Sequence, residues 1–224
     1  MEIEVCESKE DAAAQGAKLI AEHVAAAIVQ RGHACIAVSG GHTPWAMLTL
    51  LAKRNLRWDK LTVFQVDERE CPLESDDRNY KHLKEVLPVK CHIEAMPVED
   101  FEGGSTAYAG RLQAQAGQPA VLDVVHLGLG PDGHTASLVP NDPVLDITDR
   151  DVAWTEPYQG HRRMTLTYPI INHARLVFWL VDGDAKREAL ARLMAGDTEI
   201  PAGRIHARRQ FVIADTTAAA NLKK

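Results

Sequence analysis

The chain shows no cysteine motif and no long apolar span. Its four cysteines, Cys6, Cys35, Cys71 and Cys91, form no CxxC pair and no zinc-ligand spacing. That argues against a redox centre or a structural zinc and predicts small, half-buried side chains in a reducing cytoplasm. There is no secretory signal and no apolar run long enough to cross a bilayer, so no membrane partner is expected. A formal net charge of −6 argues against general binding to nucleic acid. GxSxG, the serine nucleophile elbow, is absent, as is any cluster of His, Cys and acids with metal spacing. No repeat, low-complexity tract or linker divides the chain, and residues 1–224 are read as a single domain.

What is present is ordinary globular composition, 46% hydrophobic and 25% charged over 224 residues, enough for a substantial core. Apolar runs of strand length stand at 3–5, 35–38, 61–66, 121–127, 163–167, 175–181 and 211–214, with a weaker one at 92–95. Helical patterns lie between them. A long helix runs from a Ser8 cap, with Asp11 three residues on, to a Gly32 stop. Others are marked by Met47, Leu48 and Leu51, by 80–86, by 105–115, and by 184–195 with Gly196 as its stop. The alternation predicts an α/β fold, modified Rossmann-like, with a mainly parallel sheet covered by helices on both faces. Residues 141–161 carry Pro143, Pro157 and Gly160 and read equally as a mobile lid or a static loop.

SGGHT, DER, GLGPDGH and DGDAK each come directly after a predicted strand. In open parallel sheets ligands bind outside the carboxyl ends of the strands, so these four separated segments are expected to converge on one pocket.

The richest is VVHLGLGPDGHTASL, 124–138. Gly128, Gly130 and Gly133 clear bulk from around Asp132 and His134, and Asp132 is placed to orient the imidazole two residues away. Pro131-Asp132-Gly133 would also make a plain turn. In SGGHTP, Gly40 and Gly41 permit a tight turn, Thr43 is placed to cap the next helix and Pro44 suits its first turn. The result would be either an anion site or merely a capped helix. SGGHTP itself has neither P-loop nor GxGxxG spacing, so it does not imply nucleotide binding. Lys186 should fall in the first turn of a helix, where a cation opposes the dipole and invites an anion. Arg163 opens a threonine-rich strand and Arg69 comes after two acids. Each is a phosphate or carboxylate ligand or a solvated charge. Asp67 and Glu68 are adjacent on extended chain and point to opposite sides, so at most one does acid–base work, and Glu68 is a candidate for holding an arginine or histidine.

SGGHTP, FQVDER with RNY beyond it, LGLGPDGHTASLVP, RMTLT and VDGDAK occur in the order found in 6-phosphogluconolactonases, within the wider glucosamine-6-phosphate isomerase/deaminase superfamily. The chain strongly resembles that family over residues 36 to about 190. The resemblance implies hydrolysis of 6-phospho-D-glucono-1,5-lactone with no required cofactor. It implies that His134 activates water with support from Asp132, and that Gly40, Gly41, Thr43, Arg163 and Lys186 hold the 6-phosphate. Asp67, Glu68 and Arg69 would line the sugar side, with Arg69 helping at the lactone carbonyl. One departure is Arg78, before Asn79, where the family commonly has serine. The implied partner is a small sugar-phosphate lactone, and the sequence assigns no oligomeric state.

Two other readings stand beside this one. A sugar-phosphate deaminase or isomerase of the same fold carries a glutamate shortly after DGH, where this chain has SLVP with Val139. A non-catalytic sugar-phosphate sensor would need an output domain or a DNA-reading element, and neither is found.

Overall fold

The β-branched apolar runs form strands and the amphipathic stretches between them form helices. The computed structural model describes residues 1–222. In chain order the elements are β1 (Glu2–Cys6), α1 (Lys9–Arg31), β2 (Ala34–Val38), α2 (His42–Ala52), β3 (Leu61–Gln65), β4 (Asp67–Arg69), α3 (Asn79–Val86) and β5 (His92–Glu94). Next come α4 (Gly104–Ala116), β6 (Val124–Leu127), β7 (Val152–Trp154), β8 (Arg163–Leu166), α5 (Tyr168–His173), β9 (Val177–Val181), α6 (Arg187–Met194) and β10 (Gln210–Asp215). Helix α1 begins as its sequence predicts: the Ser8 hydroxyl oxygen accepts the Asp11 N–H at 3.1 Å, and Gly32 closes the helix at φ 81°.

Seven strands form one parallel sheet in the order β1-β10-β9-β6-β2-β3-β5. From β2 the chain builds outward through β3 and β5. From β6 it builds the other way through β9 and β10. The carboxyl ends of the neighbouring β2 and β6 therefore flank the reversal of winding, where open α/β sheets leave a crevice. Strand β9 shows how both faces are covered. Phe178 and Leu180 pack with α1, α2 and α3, while Val177, Trp179 and Val181 pack with α4, α5 and α6. Among the described residues no helix is long and apolar enough to cross a membrane. Burial pushes the Cys35 and Cys91 thiols up to about 12, which leaves both inert as nucleophiles.

The structure departs from the sequence expectations in several places. Asp67–Arg69 is a strand of its own and not only the extended chain after β3. Strand β3 stops at Gln65, and Val66 alone bridges to β4, its N–H donating to Val38 O (3.1 Å) and its carbonyl accepting from Leu166 N (2.7 Å). Strand β4 pairs antiparallel with β8, and β8 with β7, so the RMTLT strand belongs to this second, three-stranded sheet. Residues 141–161 are not a plain loop: a 3-10 turn at Pro143–Asp146 is capped by Asp142, and β7 comes after it, with Val144, Val152 and Ala153 buried. Strand β6 starts only at Val124, because the Asp123 carboxylate turns back to accept from Cys35 N–H (2.9 Å) and Arg31 (2.7 Å). The helix expected over 184–195 opens as a 3-10 turn, Asp184–Lys186, which puts Lys186 at the N-cap of α6 and not within its first turn.

Two buried polar groups brace the crevice. Glu68, fully buried, accepts from Arg69 N–H (2.9 Å), Asn79 N–H (3.0 Å), Tyr80 N–H (2.8 Å) and the Gln65 amide (2.7 Å). It thereby serves as the anion at the start of α3, where the helix itself has no side-chain cap. The guanidinium of Arg78 lies 3.5 Å from Glu68 and 2.9 Å from Glu99, and its Nη1 donates to Cys71 O at 2.9 Å. Arg78 is thus a buried structural cation. On the other side of the crevice, His126 of β6 is fully buried, its Nδ1 accepting the Ser39 N–H (3.3 Å) and its ring 5.2 Å from that of Phe178.

Arg78→Ala should lower stability by about 3 kcal/mol, because it strands one partner of a buried ion pair. Urea denaturation would check this, and a loss below about 1 kcal/mol would mean that the N–H donors alone suffice for Glu68. Burial pushes the His126 imidazole down to about 3. The unfolded chain therefore takes up the proton first, near pH ~6.5, and stability present above that pH is lost as it falls toward the folded value. Between pH 6.5 and 5 the loss should approach ~1.4 kcal/mol per pH unit and should flatten in His126→Leu. Equal slopes in the two proteins would remove His126 as the cause.

Candidate active site

The segments after β2, β3, β6 and β9 build the crevice. After β2, the Ser39 hydroxyl donates to His126 O (3.1 Å) and accepts from Gly128 N–H (3.3 Å), stitching the β2 turn to the β6 turn. At Gly40 a Cβ would stand 2.0 Å from Asn79 Oδ1 and would have to displace that side chain, and Gly41 has φ 122°, where a side chain is strained. Thr43 has the residue type of a cap for α2 but does not cap it. The N-cap is Gly41, and the Thr43 hydroxyl instead donates to Asp182 Oδ1 at 2.6 Å, tying α2 to the end of β9.

The β6 turn folds on itself around His134. Gly130 N–H donates to His134 O (2.8 Å) and Gly133 N–H to Gly130 O (3.0 Å), with Gly133 at φ 81°. A Cβ on Gly130 would fall 2.1 Å from His134 Nδ1, so glycine is required for the ring to lie there. Asp132 Oδ1 accepts the His134 N–H at 3.1 Å and meets the ring Nδ1 at 2.6 Å. That contact assigns the proton to Nδ1 and leaves Nε2 as the basic nitrogen. Burial raises the Asp132 carboxyl, but the His134 backbone N–H and imidazole outweigh it and hold the group below its ordinary range. Residues 128–133 read GxGxxG, yet no helix comes after them, so the dinucleotide arrangement is not formed.

Asp67 and Glu68 point opposite ways, as extended chain demands. The Asp67 Oδ2 accepts the Ser137 hydroxyl at 2.5 Å, joining β4 to the His134 turn, and the Asn79 amide donates to Asp67 O at 3.1 Å. Glu68 does not line the sugar side as the resemblance implies. It lies beneath the crevice, with both oxygens occupied by N–H donors and no exposed surface. Arg69 stands at the rim and donates to Asp77 O (3.0 Å) and Oδ1 (3.3 Å).

The two cations assigned to phosphate are desolvated. Burial lowers the Lys186 ammonium from its ordinary value, only partly offset by the carboxylates of Asp182 and Asp132. Burial likewise lowers the Arg163 guanidinium, with Asp67 opposing the shift and Arg69 adding to it. Arg163 is 6% exposed, donates through Nη2 to Gln159 Oε1 (3.3 Å), and keeps its Nε buried without a partner among the described residues. Among the described residues no three His, Cys, Asp or Glu side chains gather as a metal-binding group.

The structure also brings in residues that the sequence does not single out. Ser137 and Asp182 lie inside the strand-end motifs and are legible there as polar residues at strand ends. Tyr158 and Gln159 come from the β7–β8 hairpin and carry no signal. The crevice thus gathers a carboxylate-oriented imidazole, a second carboxylate, two desolvated cations and a glycine-lined helix start.

The family model for glucosamine-6-phosphate isomerases/6-phosphogluconolactonase matches residues 7–214. A 6-phosphogluconolactonase of a Synechocystis strain is 36% identical over 191 residues, covering 80% of this chain and 79% of that protein. One from Mycobacterium tuberculosis is 35% identical over 231 residues, covering 94% and 93%. The solved 6-phosphogluconolactonase of Trypanosoma cruzi superposes with a TM-score of 0.90 at 28% identity, over 100% of this chain and 97% of that one. With its sheet order, strand-end motifs and these likenesses together, the chain belongs to the glucosamine-6-phosphate isomerase/6-phosphogluconolactonase family.

Proposed function

We propose that the chain hydrolyses 6-phospho-D-glucono-1,5-lactone to 6-phospho-D-gluconate, the second step of the oxidative pentose phosphate pathway, with His134 as the base. Its 6-phosphogluconolactonase relatives support the reaction. The observation that carries the mechanism is the 2.6 Å contact between Asp132 and His134 Nδ1, which leaves Nε2 as the acceptor.

In this reading a water molecule loses a proton to His134 Nε2 as its oxygen attacks the lactone carbonyl carbon. The carbonyl electrons move to oxygen, and the resulting oxyanion is stabilised by Arg69 or by backbone N–H groups at the strand ends. The tetrahedral intermediate then collapses, the bond to the ring oxygen breaks, and the imidazolium returns its proton to that leaving oxygen. Asp132, whose carboxyl is held below its ordinary range, keeps the ring oriented and stabilises the imidazolium between the two transfers. No group outside the protein, the lactone and water is called on.

The 6-phosphate would be held by the Gly40–Gly41 turn with Thr43, and by Arg163 and Lys186. An anion there restores to both cations the solvation that burial removed. Holding the substrate by a group remote from the carbonyl positions the reacting carbon at His134. Asp67, fixed by Ser137, would face the sugar hydroxyls, while Glu68 would act only by placing Arg69, Asn79 and Tyr80.

Lactone generated freshly from glucose 6-phosphate and its dehydrogenase should decay faster with the protein than by spontaneous hydrolysis. His134→Ala should cut turnover by at least ~10²-fold with KM little changed. Near-normal turnover in that variant would end the role of His134, and no acceleration by folded wild-type protein would end the lactonase reading. Lys186→Met should instead raise KM by about 10- to 100-fold, the usual range for losing a hydrogen bond to a charged group. An unchanged KM would take Lys186 out of the phosphate site.

A further inference from the structure

Tyr158 has no part in the mechanism above, yet it touches both halves of the site. It stands at the corner of the β7–β8 hairpin, where its N–H donates to His161 O (2.9 Å) and its carbonyl accepts from His161 N–H (3.3 Å). The two residues between, Gln159 and Gly160, have φ of 50° and 86°, the conformation of a tight two-residue hairpin loop. The backbone under Tyr158 is therefore fixed by the turn, and its side chain is delivered to one place.

That place lies between the base and the phosphate side. The Tyr158 ring meets the His134 ring edge-on, centroids 5.7 Å apart at 67°. Its face lies under the Arg163 guanidinium, 5.2 Å from the centroid. The Tyr158 hydroxyl donates to Asp132 Oδ2 at 3.4 Å, leaving Oδ1 to His134. Gln159 closes the loop: its amide donates to the Tyr158 hydroxyl oxygen (3.3 Å), and its carbonyl accepts from Arg163 (3.3 Å). Apart from this amide and this ring, Arg163 has a buried Nε without a partner among the described residues, so little else fixes where its charge points.

We propose that Tyr158, with Gln159, is a positioning residue that sets the base and the phosphate-binding arginine in register across the mouth of the crevice. The proposal rests on the roles given above to His134 and Arg163. The ring holds the His134 edge and the guanidinium plane apart at a fixed spacing, so that the groups given above to the carbonyl and to the phosphate keep one separation. The hydroxyl acts on Asp132 alone. At 3.4 Å its contact is long for an O–H···O bond, so the ring supplies most of the effect and the hydroxyl a smaller share.

The two contributions separate in steady-state lactone hydrolysis by the full-length protein. Tyr158→Phe keeps the ring and should lower kcat about 2- to 5-fold with KM unchanged. Tyr158→Leu and Gln159→Ala release Arg163 and should raise KM about 5- to 20-fold, with the larger kcat loss in the leucine variant. Thermal midpoints measured alongside show whether each variant is folded, and Gln159→Ala, an exposed change, keeps the test open if Tyr158→Leu does not fold. A merely structural tyrosine would lower stability without splitting kcat from KM. Wild-type KM in both Tyr158→Leu and Gln159→Ala, or in Gln159→Ala alone if it is the only one folded, overturns the proposal, as does wild-type kcat in Tyr158→Phe for the hydroxyl's share. Inactive wild-type protein would be the separate failure of the lactonase reading.

Discussion

A carboxylate sealed from water must find all its donors inside the protein, and Glu68 finds four N–H groups and one guanidinium from three parts of the chain. An uncompensated charge at that depth would cost several kcal/mol, so the β3 end, β4 and the start of α3 have little freedom relative to one another. The consequence is geometric. With Glu68 turned inward, the period of two along β4 sends Asp67 to the other side, toward Ser137 and the His134 turn. Asn79, held by its N–H to Glu68, presents its amide to the Asp67 carbonyl and its Oδ1 to the space that a Cβ on Gly40 would fill. One buried anion thus sets the position of three functional turns without touching the crevice.

The sheet makes the same kind of demand on a larger scale. Because β2 and β6 are adjacent and parallel, their turns leave the sheet side by side, and Ser39 closes the gap with a bond in each direction. His126 supports that junction from below by accepting the Ser39 N–H, which requires a neutral ring; burial guarantees it by driving the pKa down to about 3. The core histidine and the candidate catalytic histidine lie on one short segment and are put to opposite uses. His126 is kept neutral by desolvation. His134 is kept near water and next to a carboxylate that orients its ring.

Much of this can be read from residues alone, and the reasons for the rest are physical. Most of the seven parallel strands announce themselves through apolar runs, β5 only weakly, and the strand-end motifs through glycines and polar residues in turn. In the three-stranded sheet only β8 is marked, by the RMTLT run. The other two strands are three residues long, with β4 made of Asp67, Glu68 and Arg69, and no pattern of period two can be seen in three charged residues. Thr43 carries the residue type of a helix cap but is drawn away by Asp182, 139 positions distant, a partner no local rule supplies. Arg78 stands out in the sequence only as a departure from the family's serine, and its pairing with Glu68 and Glu99 shows only in the folded chain. Tyr158 enters the site only because two positive φ angles turn the hairpin back over the crevice.

The site also keeps a cost that other buried charges avoid. Asp123 is met by Arg31 and Arg175, and Glu68 by Arg78 and backbone N–H groups. Arg163 and Lys186 are desolvated enough to be easier to deprotonate than free side chains, and the carboxylates near them offset only part of that. A folded protein tolerates such groups where a ligand completes them. A phosphate dianion would restore the missing interaction, and the free energy released would grow with how well the two cations are already aimed. Alignment in turn depends on what holds them before the anion arrives: for Arg163, one amide and one aromatic ring. Rigidity at the Tyr158 hairpin and undercompensation at Arg163 are therefore two parts of one arrangement, since an unpaired cation aids binding only where it cannot swing away to find water.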